Sequence, residues 1–123
     1  MKYSLDYSPP APSIKVRFSS PTSTNSMEIE AKIDSGADIT VLPQNVVREL
    51  RLIPAGRVTV SSFDGQEERK YTYFLNLHFG NFKFSMVEVV GAKRRDALLG
   101  RDVLNLLKTI LDGKTMNFEL LDP

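Results

Sequence analysis

One short segment of the 123-residue sequence combines an acidic residue, a hydroxyl residue and a glycine. Asp34, Ser35 and Gly36 directly follow the alternating apolar and polar residues 27–33, so the carboxylate stands at the end of a predicted strand. Gly36 permits a tight turn that aims this carboxylate outward, where it could take or give a proton. Asp-Ser-Gly is common in surface turns, but here the apolar residues 39–42 follow it. We therefore interpret the segment as a candidate catalytic loop.

The elements that must position this loop are short strands separated by turn residues. Asp64-Gly65 and Asp112-Gly113 are typical of hairpin turns. Many short strands with closely spaced turns predict an all-β barrel or sandwich. The predicted strands are 14–18, 27–34, 58–62, 69–79, 82–90, 109–111 and 116–120, and the predicted short helices are 43–50 and 102–107. Residues 1–13 are rich in proline and predict a loose arm, followed by one domain over residues 14–123.

Composition excludes several other classes of protein. The formal net charge of +1 gives no basic face for nucleic acid, and the absence of cysteine excludes disulfides and thiolate chemistry. The lone histidine, His78, lies in an alternating stretch and has no companions for a zinc site or a serine triad, so we expect a solvent-facing strand residue. No signal peptide and no apolar run of about 20 residues is present, and we expect a cytoplasmic protein without a membrane partner.

A second motif lies in the last third of the chain. Residues 98–104 read Leu-Leu-Gly-Arg-Asp-Val-Leu and are similar to the second signature of retroviral-type aspartic proteases. Asp34 to Leu42 resembles the catalytic loop of the same family, and a glycine-containing hairpin lies between the two motifs, where the family has its flap. Residues 14–120 therefore resemble a retropepsin-like protease. The resemblance implies an acid-protease closed barrel in a single domain, with one short C-terminal helix, that acts as a homodimer.

The chemistry of such enzymes needs two carboxyl groups around one water molecule. Two carboxyl groups about 3 Å apart cannot both be ionised, because their negative charges repel each other. One group therefore acts as base and the other as acid, as is known for aspartic-protease dyads. This chain carries Asp-Ser-Gly only once, and the two Asp-Gly turns lack the hydroxyl residue. A single motif in a single-domain chain implies a two-fold dimer in which Asp34 meets Asp34 of the second chain.

The resemblance also implies roles for individual residues. Asp34, Ser35 and Gly36 would form the catalytic loop, with the Ser35 hydroxyl bonded to the partner loop. Arg101 would pair with Asp38 and brace that loop. The implied substrate-binding residues are Lys32, Ala37, Asp38, Phe63, Asp64, Gly65 and Leu98. The implied structural supports are Thr40, Gly100 and Arg101.

Lys32 departs from the family pattern, which has an apolar pocket residue at this position. Alternation places Lys32 on the same side of its strand as Asp34, and residues 93–96 before the second motif are also basic. If Lys32 and Arg95 border the cleft, substrates with an acidic or polar residue near the scissile bond should be preferred. If both side chains extend into water, screening leaves them little influence. The sequence leaves both interpretations open.

Three functions are compatible with these patterns. The favoured one is an aspartic endopeptidase that hydrolyses peptide bonds through water activated by Asp34 of two chains. The second is a retropepsin-fold dimerisation or peptide-binding module with little or no catalysis. The third is an unrelated β-barrel binding domain, which would require both motifs to occur together by chance. We expect no cofactor and no metal. The expected partners are a second copy of the chain and a protein or peptide substrate, and not nucleic acid.

Overall fold

The structure is a computed structural model that describes residues 1–62 and 64–122. Nine strands and two short helices follow one another along these described residues. They are β1 (Ser13–Ser19), β2 (Ser26–Ile33), β3 (Thr40–Pro43), α1 (Gln44–Glu49), β4 (Pro54–Ser61), β5 (Glu67–Phe79), β6 (Phe82–Ala92), β7 (Ala97–Leu99), α2 (Arg101–Leu104), β8 (Lys108–Asp112) and β9 (Asn117–Leu121).

Six of the strands close into a barrel. They pair in the order β1-β2-β7-β3-β6-β5, and β5 pairs back with β1 over the register from Arg17↔His78 to Ser19↔Asn76. Among the described residues β4 pairs only with the first part of β5, residues 67–73, so β4 and this part of β5 extend from the barrel as a hairpin, while residues 72–79 of β5 pair with β6 in the barrel. β8 and β9 form a separate two-stranded sheet. The predicted all-β closed barrel is confirmed.

Alternation along the strands explains which side chains fill the barrel. In β2, Ala31 and Ile33 are buried, whereas Lys32 between them is half-buried. In β5, Leu75 and Leu77 are buried, whereas His78 is exposed on the other face. Successive side chains of a strand point to opposite faces, so the period of two in the sequence appears directly as an inner and an outer surface. His78 is therefore a solvent-facing strand residue, as predicted.

Both helices are short: α1 packs on β3 and β6, and α2 begins at Arg101 in the second motif. α1 follows Pro43, whose φ of −57° suits the entry into a helix. α2 begins after Gly100 and ends at Leu104, so it starts one residue earlier and stops three residues earlier than predicted. Within residues 1–62 and 64–122, the helices are too short and too polar for any of them to cross a bilayer.

The N-terminal arm differs from the loose segment that its prolines predict. The amino group of Met1 donates a hydrogen bond of 2.8 Å to the Phe118 carbonyl, and the Phe118 N–H donates one of 2.8 Å to the Met1 carbonyl. Further along, the Pro12 carbonyl accepts a 2.9 Å hydrogen bond from the Ile33 N–H. Proline content reports only on local stiffness, whereas these partners lie far away in the sequence. The boundary between arm and domain stays a prediction.

Candidate active site

The candidate catalytic loop, residues 34–38, begins where β2 ends, and hydrogen bonds within the loop orient the Asp34 carboxylate. The Asp34 N–H donates to the Leu99 carbonyl at 3.0 Å, so the β2–β7 pairing continues to the first residue of the loop. The Gly36 N–H donates to Asp34 Oδ1 at 2.9 Å, and the Ala37 N–H donates to the Asp34 carbonyl at 3.2 Å. A Cβ atom on Gly36 would lie 3.1 Å from Asp34 Oδ1. The glycine thus lets the backbone approach the carboxylate closely.

The loop is presented at the surface of the single chain. Asp34 is half-buried, and Ser35 and Gly36 are exposed. A carboxylate in this position can reach both water and a second molecule. The Ser35 hydroxyl makes no hydrogen bond among those formed by the described part of the chain, and it remains accessible to a partner.

The second motif crosses directly behind the loop. The Arg101 N–H donates to the Ala37 carbonyl at 2.8 Å. A Cβ atom on Gly100 would lie 2.8 Å from the Ile39 carbonyl carbon and 2.9 Å from the Ala37 oxygen. Two backbones can pass this closely only if the residue at position 100 has no side chain. The glycine in the second motif is explained by this contact.

A buried hydrogen-bond network joins the two motifs beneath the loop. The Thr40 hydroxyl donates to Asp102 Oδ1 at 2.8 Å and accepts a 3.2 Å hydrogen bond from the Gly100 N–H. The Thr40 N–H donates to Asp102 Oδ2 at 3.0 Å, and the Val103 N–H donates to Oδ1 at 3.0 Å. Asp102 was recognised in the sequence only as part of the second motif, without a role. Its carboxylate holds β3 against the start of α2.

An ion pair ties Arg101 to the outer side of the loop. Arg101 Nη2 contacts Asp38 Oδ1, and Arg101 Nη1 donates to the Ser35 carbonyl at 2.7 Å. The side chains are 44% exposed for Arg101 and 84% exposed for Asp38. An exposed pair contributes little stability in one isolated chain because water screens both charges. The pair can contribute more where another molecule covers it.

The predicted flap corresponds to the β4–β5 hairpin, whose tip is a loop over residues 62–66. Phe63 lies outside the described residues. Gly65 has a φ of 85°, and the Ser62 N–H donates to the Gln66 carbonyl at 2.8 Å. Hydrogen bonds from the Ser62 hydroxyl and the Gln66 N–H hold the pKa of Asp64 below its ordinary value. Because Asp64 caps the loop in this way, the tip is longer than the two-residue turn that Asp-Gly predicts.

Lys32 and Leu98 lie side by side in the β2–β7 pairing, next to the catalytic loop. The Lys32 ammonium is 4.8 Å from the centre of the Tyr7 ring, and the Tyr7 hydroxyl donates to Asp96 Oδ2 at 2.6 Å. Arg94 Nη2 also contacts Asp96, at 2.6 Å from Oδ1. Sequence reasoning missed Tyr7 and Asp96. No local pattern marks a contact between residues 89 positions apart.

Burial and charge set the ionisation of this cluster. Burial, together with the hydrogen bond and charge of Asp96, raises the pKa of Tyr7 to about 12. Burial alone would raise the pKa of Asp96, but hydrogen bonds from Tyr7 and Arg94 and the charges of Arg94 and Lys32 outweigh it, so the pKa of Asp96 lies below its ordinary value. At neutral pH Tyr7 is therefore a neutral donor and Asp96 an ionised acceptor. Over the ranges that the structure describes, no group of three or more His, Cys, Asp or Glu residues could hold a metal ion.

Comparison with known proteins agrees with this geometry. The model of a family described as "gag-polyprotein putative aspartyl protease" matches residues 20–106. EIAV protease complexed with the inhibitor HBY-793 is 18% identical, with a TM-score of 0.61 over 85% of this chain and 92% of that chain. A retropepsin-like aspartic protease from Rickettsia conorii is 14% identical, with a TM-score of 0.61 over 91% and 82% of the two chains. The simian foamy virus (mac) protease is 20% identical, with a TM-score of 0.56 over 76% and 92%. A search of curated proteins finds no match.

The solved structures and the family model establish different things. At identities of 20% or less, the structures show a shared fold. The family model covers more than half of the chain and includes both the Asp34 loop and the motif at residues 98–104. The chain therefore belongs to the gag-polyprotein aspartyl protease family and has the retropepsin-like fold.

Proposed function

We propose that this protein is an aspartic endopeptidase whose active site forms between two copies of the chain, each supplying Asp34. The observation that carries this proposal is one Asp-Ser-Gly loop per chain, presented at the surface with Ser35 and Gly36 exposed. A surface loop that carries a half-buried aspartate and supplies only half of the required dyad is suited to meet an identical loop across a two-fold axis.

The proposed chemistry follows from two carboxyl groups sharing one proton. The ionised Asp34 accepts a proton from water as the water oxygen attacks the peptide carbonyl carbon. The protonated Asp34 of the second chain donates its proton to the carbonyl oxygen, which forms a neutral tetrahedral intermediate. The Asp34 that took the proton from water then donates it to the amide nitrogen as the C–N bond breaks, while the other, now ionised Asp34 takes a proton from one hydroxyl of the intermediate, which yields a carboxyl group and an amine. The carboxyl groups exchange protons with water and substrate, so no cofactor is required.

The groups around the loop have proposed supporting roles. The Ser35 hydroxyl would bond to the partner loop across the axis, and the exposed Asp38 and the backbone at Ala37 would contact the substrate backbone. Arg101 would then hold Asp38 in place. Covering this pair with a partner or substrate removes water, which strengthens the attraction between the two charges.

The β4–β5 hairpin is proposed to act as the flap. It is joined to the barrel through β5 alone, and β4 has no partner on its other side within the described part of the chain. A hairpin attached in this way can bend as a unit over a bound peptide and exclude water from the reaction. The hydrogen bond from the Gln66 N–H to Asp64 and the positive φ of Gly65 define the turn at residues 64–66.

The β8–β9 sheet offers an apolar surface for the second chain. Leu106, Ile110, Leu111 and Leu121 are exposed large apolar residues on or beside this sheet. One edge of β9 pairs with β8, and residues 1–3 of the same chain bond to the other edge. In the β8–β9 register, Ile110 and Leu121 lie on one face together with Lys108 and Glu119, whereas Leu111 lies on the other face with the buried Phe118. The face that carries Ile110 and Leu121 and the outer edge of β8 are therefore the parts of this sheet that we propose for a partner.

The decisive variant is Asp34→Asn, because an amide cannot share the proton. We expect it to abolish cleavage of a peptide library while the circular dichroism spectrum and sedimentation coefficient stay unchanged. The matched control is Glu49→Gln, which makes the same carboxylate-to-amide change at an exposed residue at the end of α1 and should leave cleavage intact. Full activity in Asp34→Asn would exclude the aspartic mechanism. A wild-type dimer that binds peptides without cleaving them would instead identify a binding module.

A further inference from the structure

The N-terminal arm forms a closed loop that carries Tyr7 toward the catalytic side of the barrel. The Ser4 N–H donates to the Ala11 carbonyl at 2.7 Å, and the Ala11 N–H donates back to the Ser4 carbonyl at 3.2 Å. The Pro12 carbonyl accepts a 2.9 Å hydrogen bond from the Ile33 N–H, which fixes the base of this loop to the last residue of β2. Tyr7 is thus held by the fold rather than carried on a free end.

Tyr7 reaches the residues that precede the two motifs. Its hydroxyl donates to Asp96 at 2.6 Å, and its ring lies 4.8 Å from the Lys32 ammonium. Lys32 lies two residues before Asp34 in the chain. The hydrogen bond from the Asp34 N–H to the Leu99 carbonyl shows that the β2–β7 pairing continues as far as Asp34. Alternation therefore places the Lys32 and Asp34 side chains on the same side of the sheet. The contact between Tyr7 and Lys32 therefore lies two residues along the strand from Asp34, on the side of the sheet to which the Asp34 side chain points.

A cavity of about 380 Å³ remains open beside the Tyr7 ring. Tyr7, Lys32, Arg95 and Asp96 are among the residues that line it. Because this volume persists with Tyr7 in place, the ring forms a wall of the cavity and does not fill it. A volume of this size is large enough to admit one amino-acid side chain.

The charges around the cavity leave hydrogen-bond donors available. Two of its carboxylates are already engaged, since Asp96 accepts hydrogen bonds from two side chains and Glu30 accepts one from a serine hydroxyl. Asp6 is exposed at the rim. Lys32 and Arg95 make no ion pair within 4.0 Å among residues 1–62 and 64–122. The Lys32 ammonium lies over the face of the tyrosine ring and donates no hydrogen bond to another described residue, so its N–H donors are available to a carboxylate.

We propose that this cavity is a substrate subsite that selects an acidic side chain, with Tyr7 as its specificity-determining residue. The proposal rests on the proposed peptidase function and adds the substrate class. Tyr7 positions the two charges that frame the cavity, because its ring orients Lys32 and its hydroxyl holds Asp96. The hydrogen bonds from Tyr7 and Arg94 hold the Asp96 carboxylate in the wall of the cavity, where it makes no ion pair with Lys32 within 4.0 Å. A glutamate or aspartate side chain then meets the ammonium.

The test compares Tyr7→Ala and Tyr7→Phe with wild type on peptides that differ only by Glu or Gln next to the scissile bond. Gln has the shape of Glu without its charge, so the ratio of kcat/KM values isolates recognition of the carboxylate. We expect wild type to favour Glu and Tyr7→Ala to reduce the Glu-to-Gln ratio by about tenfold, mainly through a higher KM for Glu peptides. Tyr7→Phe keeps the ring and should fall between the two. Tyr3→Phe, which alters the same arm at a ring packed on Phe118, should leave the ratio unchanged.

Binding provides the same comparison without turnover. Fluorescein-labelled Glu and Gln peptides are titrated into Asp34→Asn and into Asp34→Asn/Tyr7→Ala, and anisotropy gives the two dissociation constants. Tighter binding of the Glu peptide that is lost in the double variant supports the subsite even if the wild type cleaves nothing. That absence of cleavage would count against the proposed function alone. If Tyr7→Ala leaves the ratio of kcat/KM for Glu and Gln peptides unchanged, the inference is wrong. It is also wrong if Tyr7→Ala raises kcat/KM equally for all peptides, because that result would show that the arm blocks the cleft.

Discussion

Replacing Thr40 by valine tests whether the buried network behind the catalytic loop stabilises the fold. Thr40 is 0% exposed, and valine has nearly its shape, so the substitution removes the hydroxyl without opening a cavity. The charged hydrogen bond to Asp102, 2.8 Å long, is worth about 1.5–3 kcal/mol, and the buried Gly100 N–H is left without its acceptor at a cost of about 1–3 kcal/mol. Both contacts use one hydroxyl and are not additive. We expect a loss of about 3 kcal/mol, a large part of the total stability of a domain of this size.

The matched control is Thr72→Val. Thr72 is also 0% exposed, but its hydroxyl oxygen has no hydrogen-bond partner among the described residues. Removing a buried hydroxyl that has no partner should be neutral or stabilising. Urea denaturation at fixed protein concentration measures both variants, and the m-value should not change. Equal effects of the two substitutions, or a change below about 0.5 kcal/mol for Thr40→Val, would refute the stabilising role of the network.

Two further predictions concern charges near the site. Arg101→Ala should destabilise the separated chain by at most about 1 kcal/mol, because its pair with Asp38 is exposed, yet it should weaken the dimer measurably. Sedimentation equilibrium measures the dimer dissociation constant of Arg101→Ala and of a control, Arg17→Ala, which removes an arginine paired with Glu28 on the barrel. Equal dissociation constants for the two variants would contradict a role of Arg101 in the dimer. Asp96 has a lower pKa in the folded than in the unfolded chain, so its contribution to stability is present above the unfolded pKa and is lost as pH falls through the folded pKa. Asp96→Asn should therefore flatten the acidic limb of the plot of unfolding free energy against pH, and an unchanged limb would show that other carboxyl groups cause it.

The sequence predicted the barrel because its strands alternate and its turns carry clear signals. Along β2, the burial of Ala31 and Ile33 follows from the period of two alone. Gly100 and Arg101 could be recognised because the second motif places them together. Local patterns of this kind report on which face of an element is buried and on which backbone positions require glycine.

Contacts between distant segments could not be predicted from those patterns. The prolines of residues 1–13 indicated a loose arm, whereas Tyr7 bonds to Asp96 across 89 positions. The tip at Asp64 and Gly65 also differs, because a side-chain cap favours a longer loop over the two-residue turn. In each case a hydrogen bond to a particular partner decides the structure, and hydrophobic periodicity carries no information about that partner.

The central claim is that each chain supplies half of the dyad, and mixing chains tests it most directly. Wild type and Asp34→Asn are refolded together in equal amounts at constant total concentration, and peptide cleavage is measured. If the active site needs Asp34 from both chains, only about one quarter of the dimers retain two aspartates, and activity should fall to about one quarter of that of wild type alone. Activity of about one half would show that each chain works independently, and it would contradict the shared dyad.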